Sequence, residues 1–206
     1  MSRLPKDDRE RPTGVDTVSR ETTASAGRFF LGVALTDESR RAIRLCLEAV
    51  EIPGSLVLPE DWHITLRFLG ETTFETLATL REVLGTANLG PRFDVVLGRL
   101  GAFPNPDAAG VLWLGVDEGS AALTALAARL EPAAYRAGLP VVDRRFTPHL
   151  TVSWIRPPVD LRLLIGRVPA LQVRMSVDAV VLYRRCSKGE PRRYEMIERF
   201  PLSSST

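Results

Sequence analysis

Two short segments of this 206-residue chain combine residue types that could do chemistry. His63-Ile64-Thr65-Leu66 and His149-Leu150-Thr151-Val152 share one pattern of His, apolar, Thr, apolar, and they hold both histidines of the sequence. An unperturbed imidazole titrates near ~6.5, so a facing pair can serve as acid and base around neutral pH. The two threonine hydroxyls can donate hydrogen bonds to oxygens of an anion held between them. A single strand histidine is more often structural, but two in matched motifs favour function. Two histidines without a carboxylate or cysteine cluster give zinc too few ligands, so neither metal nor cofactor is expected. Cys46 falls on an apolar helical stripe and reads as core, while Cys186, beside Arg184, Arg185 and Lys188, is not read as a catalytic thiol. No glycine-rich phosphate loop or serine nucleophile elbow is present.

Strands must position these groups. Side chains alternate faces along a strand, so His63, Thr65 and Arg67 are expected on one side and Ile64, Leu66 and Phe68 in the core. His149 and Thr151 likewise share a face opposite Leu150 and Val152. The run Arg28–Leu35 reads as a buried strand, followed by a helix capped at Thr36 or Asp37. Thr72 and Glu75 have capping-box spacing for a helix through about Leu84, stopped by Gly85. Phe93–Phe103 and Val111–Val116 read as strands. An Ala/Leu-rich helix is expected from Asp117 to about Ala137, irregular near Pro132. A short helix near Leu161–Ile165 and two strands, about 171–183 and 192–199, complete the pattern.

The order repeats. Phe30-Leu31-Gly32-Val33 matches Trp113-Leu114-Gly115-Val116, each opening a strand–helix–strand unit that ends on a His motif. The offset is 83 residues at the glycines and 86 at the histidines, which points to duplication. The expected architecture is α+β: a duplicated bilobal two-layer fold, with two antiparallel sheets flanking a central cleft and helices outside. Residues 1–27 read as a disordered N-terminal tail, 28–202 as the domain with two pseudo-symmetric lobes, and 203–206 as a tail.

Composition narrows the class. No apolar stretch approaches a membrane span and no signal-peptide pattern opens the chain, so a cytoplasmic location with reduced cysteines is expected. The net charge of +2 hides a gradient, because residues 136–206 carry thirteen basic and six acidic side chains. Arginine supplies 25 of the 27 cations, and guanidinium groups suit phosphate, so a local anion-binding surface is expected in the last third.

With these segments in view, the chain resembles the two-histidine phosphoesterases, in particular the RNA 2′,3′-cyclic phosphodiesterases, also called 2′-5′ RNA ligases. The resemblance is carried by Arg28-Phe29-Phe30, Trp62–Glu71, Gly101-Ala102-Phe103-Pro104, Val111–Val116, Phe146–Val152, Leu182-Tyr183-Arg184 and Tyr194. It implies metal-free hydrolysis of a 2′,3′-cyclic phosphate at an RNA end to a 2′-phosphomonoester, with reverse 2′-5′ ligation as a secondary activity. It also implies His63 as proton donor, His149 as proton acceptor, and Thr65 and Thr151 as substrate-binding residues. The implied partners are RNA termini or nucleotides with a cyclic phosphate, without membrane or metal, and a monomer is expected. Alternatives are a phosphodiesterase acting on small cyclic nucleotides or 2′-5′ linkages, and a non-catalytic RNA-end binder. One departure stands out: the family commonly has Arg five residues after the second histidine, where this chain has Trp154. Arg156 is a nearby substitute, and Trp154 could stack on a base.

Overall fold

Alternating apolar residues place most strands where the pattern predicts them. The computed structural model describes residues 25–142, 146–187 and 193–204. It begins with β1 (Ser25–Ala34), α1 (Asp37–Leu47), β2 (Ser55–Leu56), a 3-10 turn at Pro59–Asp61 and β3 (His63–Thr73). α2 (Phe74–Thr86), β4 (Phe93–Phe103), a 3-10 turn at Pro106–Ala108, β5 (Ala109–Glu118) and α3 (Ser120–Arg136) follow. β6 (His149–Val159), α4 (Arg162–Arg167), β7 (Val173–Val177), β8 (Ala179–Arg185) and β9 (Tyr194–Pro201) complete it.

Several boundaries differ from expectation. Most of the N-terminal tail lies outside the described residues, but residues 25–27 already belong to β1, whose Ser25 pairs with Thr73. At the other end Ser203 is tied down, its N–H donating to the Gly90 carbonyl and its carbonyl accepting from Arg92. β3 runs on to Thr73, so Thr73, not Thr72, caps α2 by accepting from the Thr76 N–H at 3.1 Å. That helix passes through Gly85 and ends at Thr86. Thr36 caps α1 as expected, accepting from the Ser39 N–H. The buried stripe of α1 is Ser39, Ile43 and Leu47, one residue every four, which leaves Cys46 exposed, not in the core.

The strands form one nine-stranded sheet in the order β7-β4-β5-β6-β3-β1-β8-β9, with β2 alongside β6. The two sheets expected from the repeat are therefore halves of one. Each half has four strands, β3-β1-β8-β9 and β6-β5-β4-β7, and they join at a single pair, Ile64 with Leu150. The physical reason is edge pairing: each half would otherwise end on an unpaired strand. Beyond the joint β3 diverges, and Ser55 and Leu56 of β2 pair with Trp154 and Ser153 instead.

The strand expected over 171–183 breaks at Asp178. β7 pairs with β4 in one half, and β8 pairs with β1 in the other. A one-residue link can connect the two halves only if they approach one another there, so the antiparallel sheet curls into a half-barrel. The helices cover one face. Leu31, Val33, Ile64, Leu112, Leu114, Leu150 and Val152 meet Ile43 of α1, Leu80 and Leu84 of α2, and Leu123, Leu126 and Leu130 of α3 in a single core. Each such buried side chain stabilises the fold by roughly 1.5–3 kcal/mol before entropy is counted.

Candidate active site

Both histidines lie on the sheet face opposite the helices, and each is anchored the same way. Pro59–Asp61 turns immediately before β3, which sets the Asp61 carbonyl 2.7 Å from His63 Nδ1. The Thr147 carbonyl lies 2.7 Å from His149 Nδ1. A carbonyl can only accept, so each Nδ1 carries the proton and each neutral imidazole keeps its lone pair on Nε2. The antiparallel register through Ile64 and Leu150 sets His63 across from Thr151, and His149 across from Thr65. Both threonines are half-buried, and neither hydroxyl has a protein hydrogen-bond partner among the described residues.

Aromatic rings fix the imidazoles from behind. The Phe30 ring centroid is 4.5 Å from that of His63, and Tyr194 meets His63 edge-on at 4.9 Å. Phe30 stacks on Tyr183 at 4.9 Å, forming with Val181 a small apolar cluster separate from the main core. In the other half Phe103 meets His149 edge-on at 5.0 Å, and Trp113 lies 6.1 Å away. Trp113 occupies the repeat position of Phe30. Its ring lies over Gly101, its partner on β4, where any Cβ would overlap the indole.

The alternation expected beyond each motif fails, and it fails twice in the same way. In the pairing of β1 with β3, Gly32 faces Thr65 but Leu31 faces Arg67, so Leu66 is an extra residue. In the pairing of β5 with β6, Trp113 faces Thr151 but Leu112 faces Ser153, so Val152 is extra. A bulge of one residue transfers everything after it to the opposite face. Arg67 is therefore on the helix side, buried, with Nε donating to Glu131 Oε1 at 2.9 Å and Nη1 and Nη2 to the Phe68 and Pro140 carbonyls. Phe68, expected in the core, is 68% exposed, and Trp154, at the matching position of β6, is 38% exposed. Arg67 is thus a structural residue, and the two aromatic side chains flank the histidine face.

Burial pushes the His63 imidazole down to about 4, against the opposing effect of its bond to Asp61, and the nearby charges of His149 and Arg193 add to the lowering. His149 is also lowered by burial, with the Thr147 bond opposing. Both rings are therefore neutral at pH 7 in the open cleft. An anion seated between them reverses part of this, because negative charge favours imidazolium. Among the described residues, no three His, Cys, Asp or Glu side chains cluster to hold a metal ion. Four arginines of the last third are held in ion pairs: Arg162 with Asp160, Arg174 with Asp94 and Glu118, Arg184 with Glu195, and Arg199 with Asp178. Arg193 differs. Its guanidinium carbon lies 5.9 Å from the ring centroids of both Trp154 and Tyr194. The sequence pattern missed it, and its position directly before Tyr194 was the available signal.

The sequence model of the 2′-5′ RNA ligase superfamily matches residues 55–189, a span that contains both histidine motifs. The chain belongs to that superfamily. It is 36% identical over 131 residues to an RNA 2′,3′-cyclic phosphodiesterase of Archaeoglobus fulgidus, covering 63% of this chain and 73% of that one. The enzyme of the same description from Geobacillus stearothermophilus is 34% identical over 180 residues, 84% of this chain and 57% of that one. The chain thus spans little more than half the length of that relative, and 64% of the one from Aeropyrum pernix. Escherichia coli LigT, solved with 3′-AMP, superposes with a TM-score of 0.70 at 26% identity, over 86% of this chain and 99% of that one. As a superfamily member the chain keeps the fold through both halves, and the α+β expectation stands. No helix among the described residues is long and apolar enough to cross a membrane.

Proposed function

We propose that this protein hydrolyses 2′,3′-cyclic phosphates at RNA ends to 2′-phosphomonoesters. The observation that carries this reading is the matched pair of imidazoles, each with Nδ1 tied to a carbonyl and Nε2 left for chemistry beside the other motif's threonine. His149 Nε2 takes a proton from water as the water oxygen bonds to phosphorus. The P–O3′ bond breaks, and His63, protonated in the presence of the substrate anion, gives its proton to the departing 3′ oxygen. The products are a 3′ hydroxyl and a 2′-phosphomonoester, and both histidines return to their starting state by exchanging one proton. Thr65 and Thr151 hold the phosphoryl oxygens as charge develops, where preorganised donors are worth most. Both histidines come from one chain, so a monomer holds a complete site. The exposed Phe68 and Trp154 rings offer stacking surfaces for bases next to the phosphate.

The curated relatives are described as RNA 2′,3′-cyclic phosphodiesterases, which supports this substrate class. A second reading, action on small cyclic nucleotides, draws on the size of the ligands alone: E. coli LigT has been solved with the free nucleotides 3′-AMP, ATP and NADP+. Comparing an RNA oligomer that ends in a 2′,3′-cyclic phosphate with a mononucleotide 2′,3′-cyclic phosphate tests both. A higher kcat/KM for the oligomer, a 2′-phosphate product and full activity in EDTA support the proposal. A 3′-phosphate product would overturn it, and equal kcat/KM values would favour the small-nucleotide reading.

A further inference from the structure

Arg193 stands just before β9, in the half that carries His63, yet its guanidinium lies over Trp154 of β6, in the half that carries His149. In the sheet, β6 and β9 are separated by β3, β1 and β8. Across a flat sheet four strand spacings amount to ~19 Å, so a 5.9 Å contact is made only through the concavity. The guanidinium therefore spans the histidine face. It lies near the rings of both Trp154 and Tyr194, and Tyr194 in turn meets His63 edge-on. Arg193 makes no ion pair among the described residues.

Building on the cyclic-phosphate reading, we infer that Arg193 is the phosphate-binding cation of this site, held across the cleft by Trp154 and Tyr194. A guanidinium matches the paired oxygens of a phosphate, and a cation–π contact with a ring does not use up its N–H donors. Arg156, also on β6 and two residues beyond Trp154, is exposed, and it makes no side-chain hydrogen bond or ion pair among the described residues.

The test compares wild type with Arg193→Gln, Arg193→Lys, Arg156→Gln and the double variant Trp154→Arg/Arg193→Gln. Two quantities are read: kcat/KM on the cyclic-phosphate oligomer, and the Kd of 2′-AMP at several salt concentrations. The expected results are a loss of about 10- to 100-fold in both for Arg193→Gln, with partial retention in Arg193→Lys. The salt dependence of 2′-AMP binding should become shallower, because one screened charge pair is lost. The double variant should recover most of the loss, because it supplies a guanidinium from β6 at the place where Arg193 now lies over the Trp154 ring, and a purely structural role for Arg193 would not produce that rescue. Arg193→Gln equal to wild type in both readouts, or an equal loss in Arg156→Gln, would overturn the inference while leaving the proposed activity intact. If wild type shows no turnover, the activity reading fails, and the 2′-AMP titration still decides the role of Arg193.

Discussion

Ile64 pairs with Leu150, and through this one pair the two halves of the molecule become a single sheet. The pair is buried on the helix side, both residues fully inaccessible, while their neighbours His63, Thr65, His149 and Thr151 emerge on the other face. Packing thus fixes the spacing of the two motifs. Apolar residues lock the joint, and alternation alone carries the four polar groups to one place. Shortening Ile64 to Ala should cost about 2–5 kcal/mol, through lost burial and a cavity under the joint. Denaturant unfolding checks this, and activity per folded molecule should fall as well because the two motifs lose their shared support.

Removing either imidazole should lower turnover by roughly 10²–10⁴-fold, the usual contribution of general acid–base help. The double substitution His63→Ala/His149→Ala should be little worse than the poorer single one, since acid and base act as a unit. Steady-state kinetics on the cyclic-phosphate oligomer read both effects.

The lowered imidazoles set the pH dependence. In the free protein one limb of the kcat/KM profile should fall near 4, from His63, and the other below 6.5, from His149, so activity per unit substrate peaks on the acid side of neutrality. The profile of kcat, which reports the occupied site, should shift to higher pH because bound phosphate favours imidazolium. Stability follows the same shift. A histidine with a folded pKa below its unfolded value costs nothing above about 6.5, and stability is lost as pH falls from there toward about 4. The loss due to His63 is of order 3 kcal/mol, and it should largely disappear in His63→Gln when unfolding is measured at pH 7.5 and 4.5.

Gly101 and Trp113 make a sharper structural test. Gly101→Ala puts a methyl group into the indole that backs His149. The expected cost is about 1–3 kcal/mol, with kcat falling more than KM rises because the displaced ring lets His149 tilt. Thermal melting and kinetics on the same preparation separate the two effects.

Much of this was legible in the sequence, and the gaps have definite physical causes. The two histidine motifs, the repeat that relates them and the threonines beside them follow from residue type and a period of two. What failed was the continuation of that period. No residue type marks Leu66 or Val152 as an extra residue, because a bulge is decided by how two strands pair, not by either strand alone. Arg67 and Phe68 consequently exchanged faces relative to expectation. The break at Asp178 was hidden for a related reason. An apolar run reads the same whether it serves one strand or two, and only the pairing of β7 with β4 and β8 with β1 divides it. For Arg193 the one local signal was its place directly before Tyr194, and its approach to Trp154 across the concavity is a relation between residues far apart in sequence.

The buried ion pair behind the site gives a prediction of stability without chemistry. Arg67 is almost wholly buried and binds Glu131 and two carbonyls. Glu131→Ala should cost about 2 kcal/mol, less than for a fully buried partner because Glu131 is partly open to water. Differential scanning calorimetry reads the loss, and KM should be unchanged.

The central claim is that two imidazoles, one from each half, carry out the hydrolysis. The direct measurement is single-turnover cleavage of an RNA oligomer ending in a 2′,3′-cyclic phosphate, by wild type, His63→Ala and His149→Ala, each with and without EDTA. Rapid conversion to the 2′-phosphate by wild type in both conditions, with both variants slowed by at least about a hundredfold, is the predicted result. Wild-type rates retained by either folded variant would contradict the account.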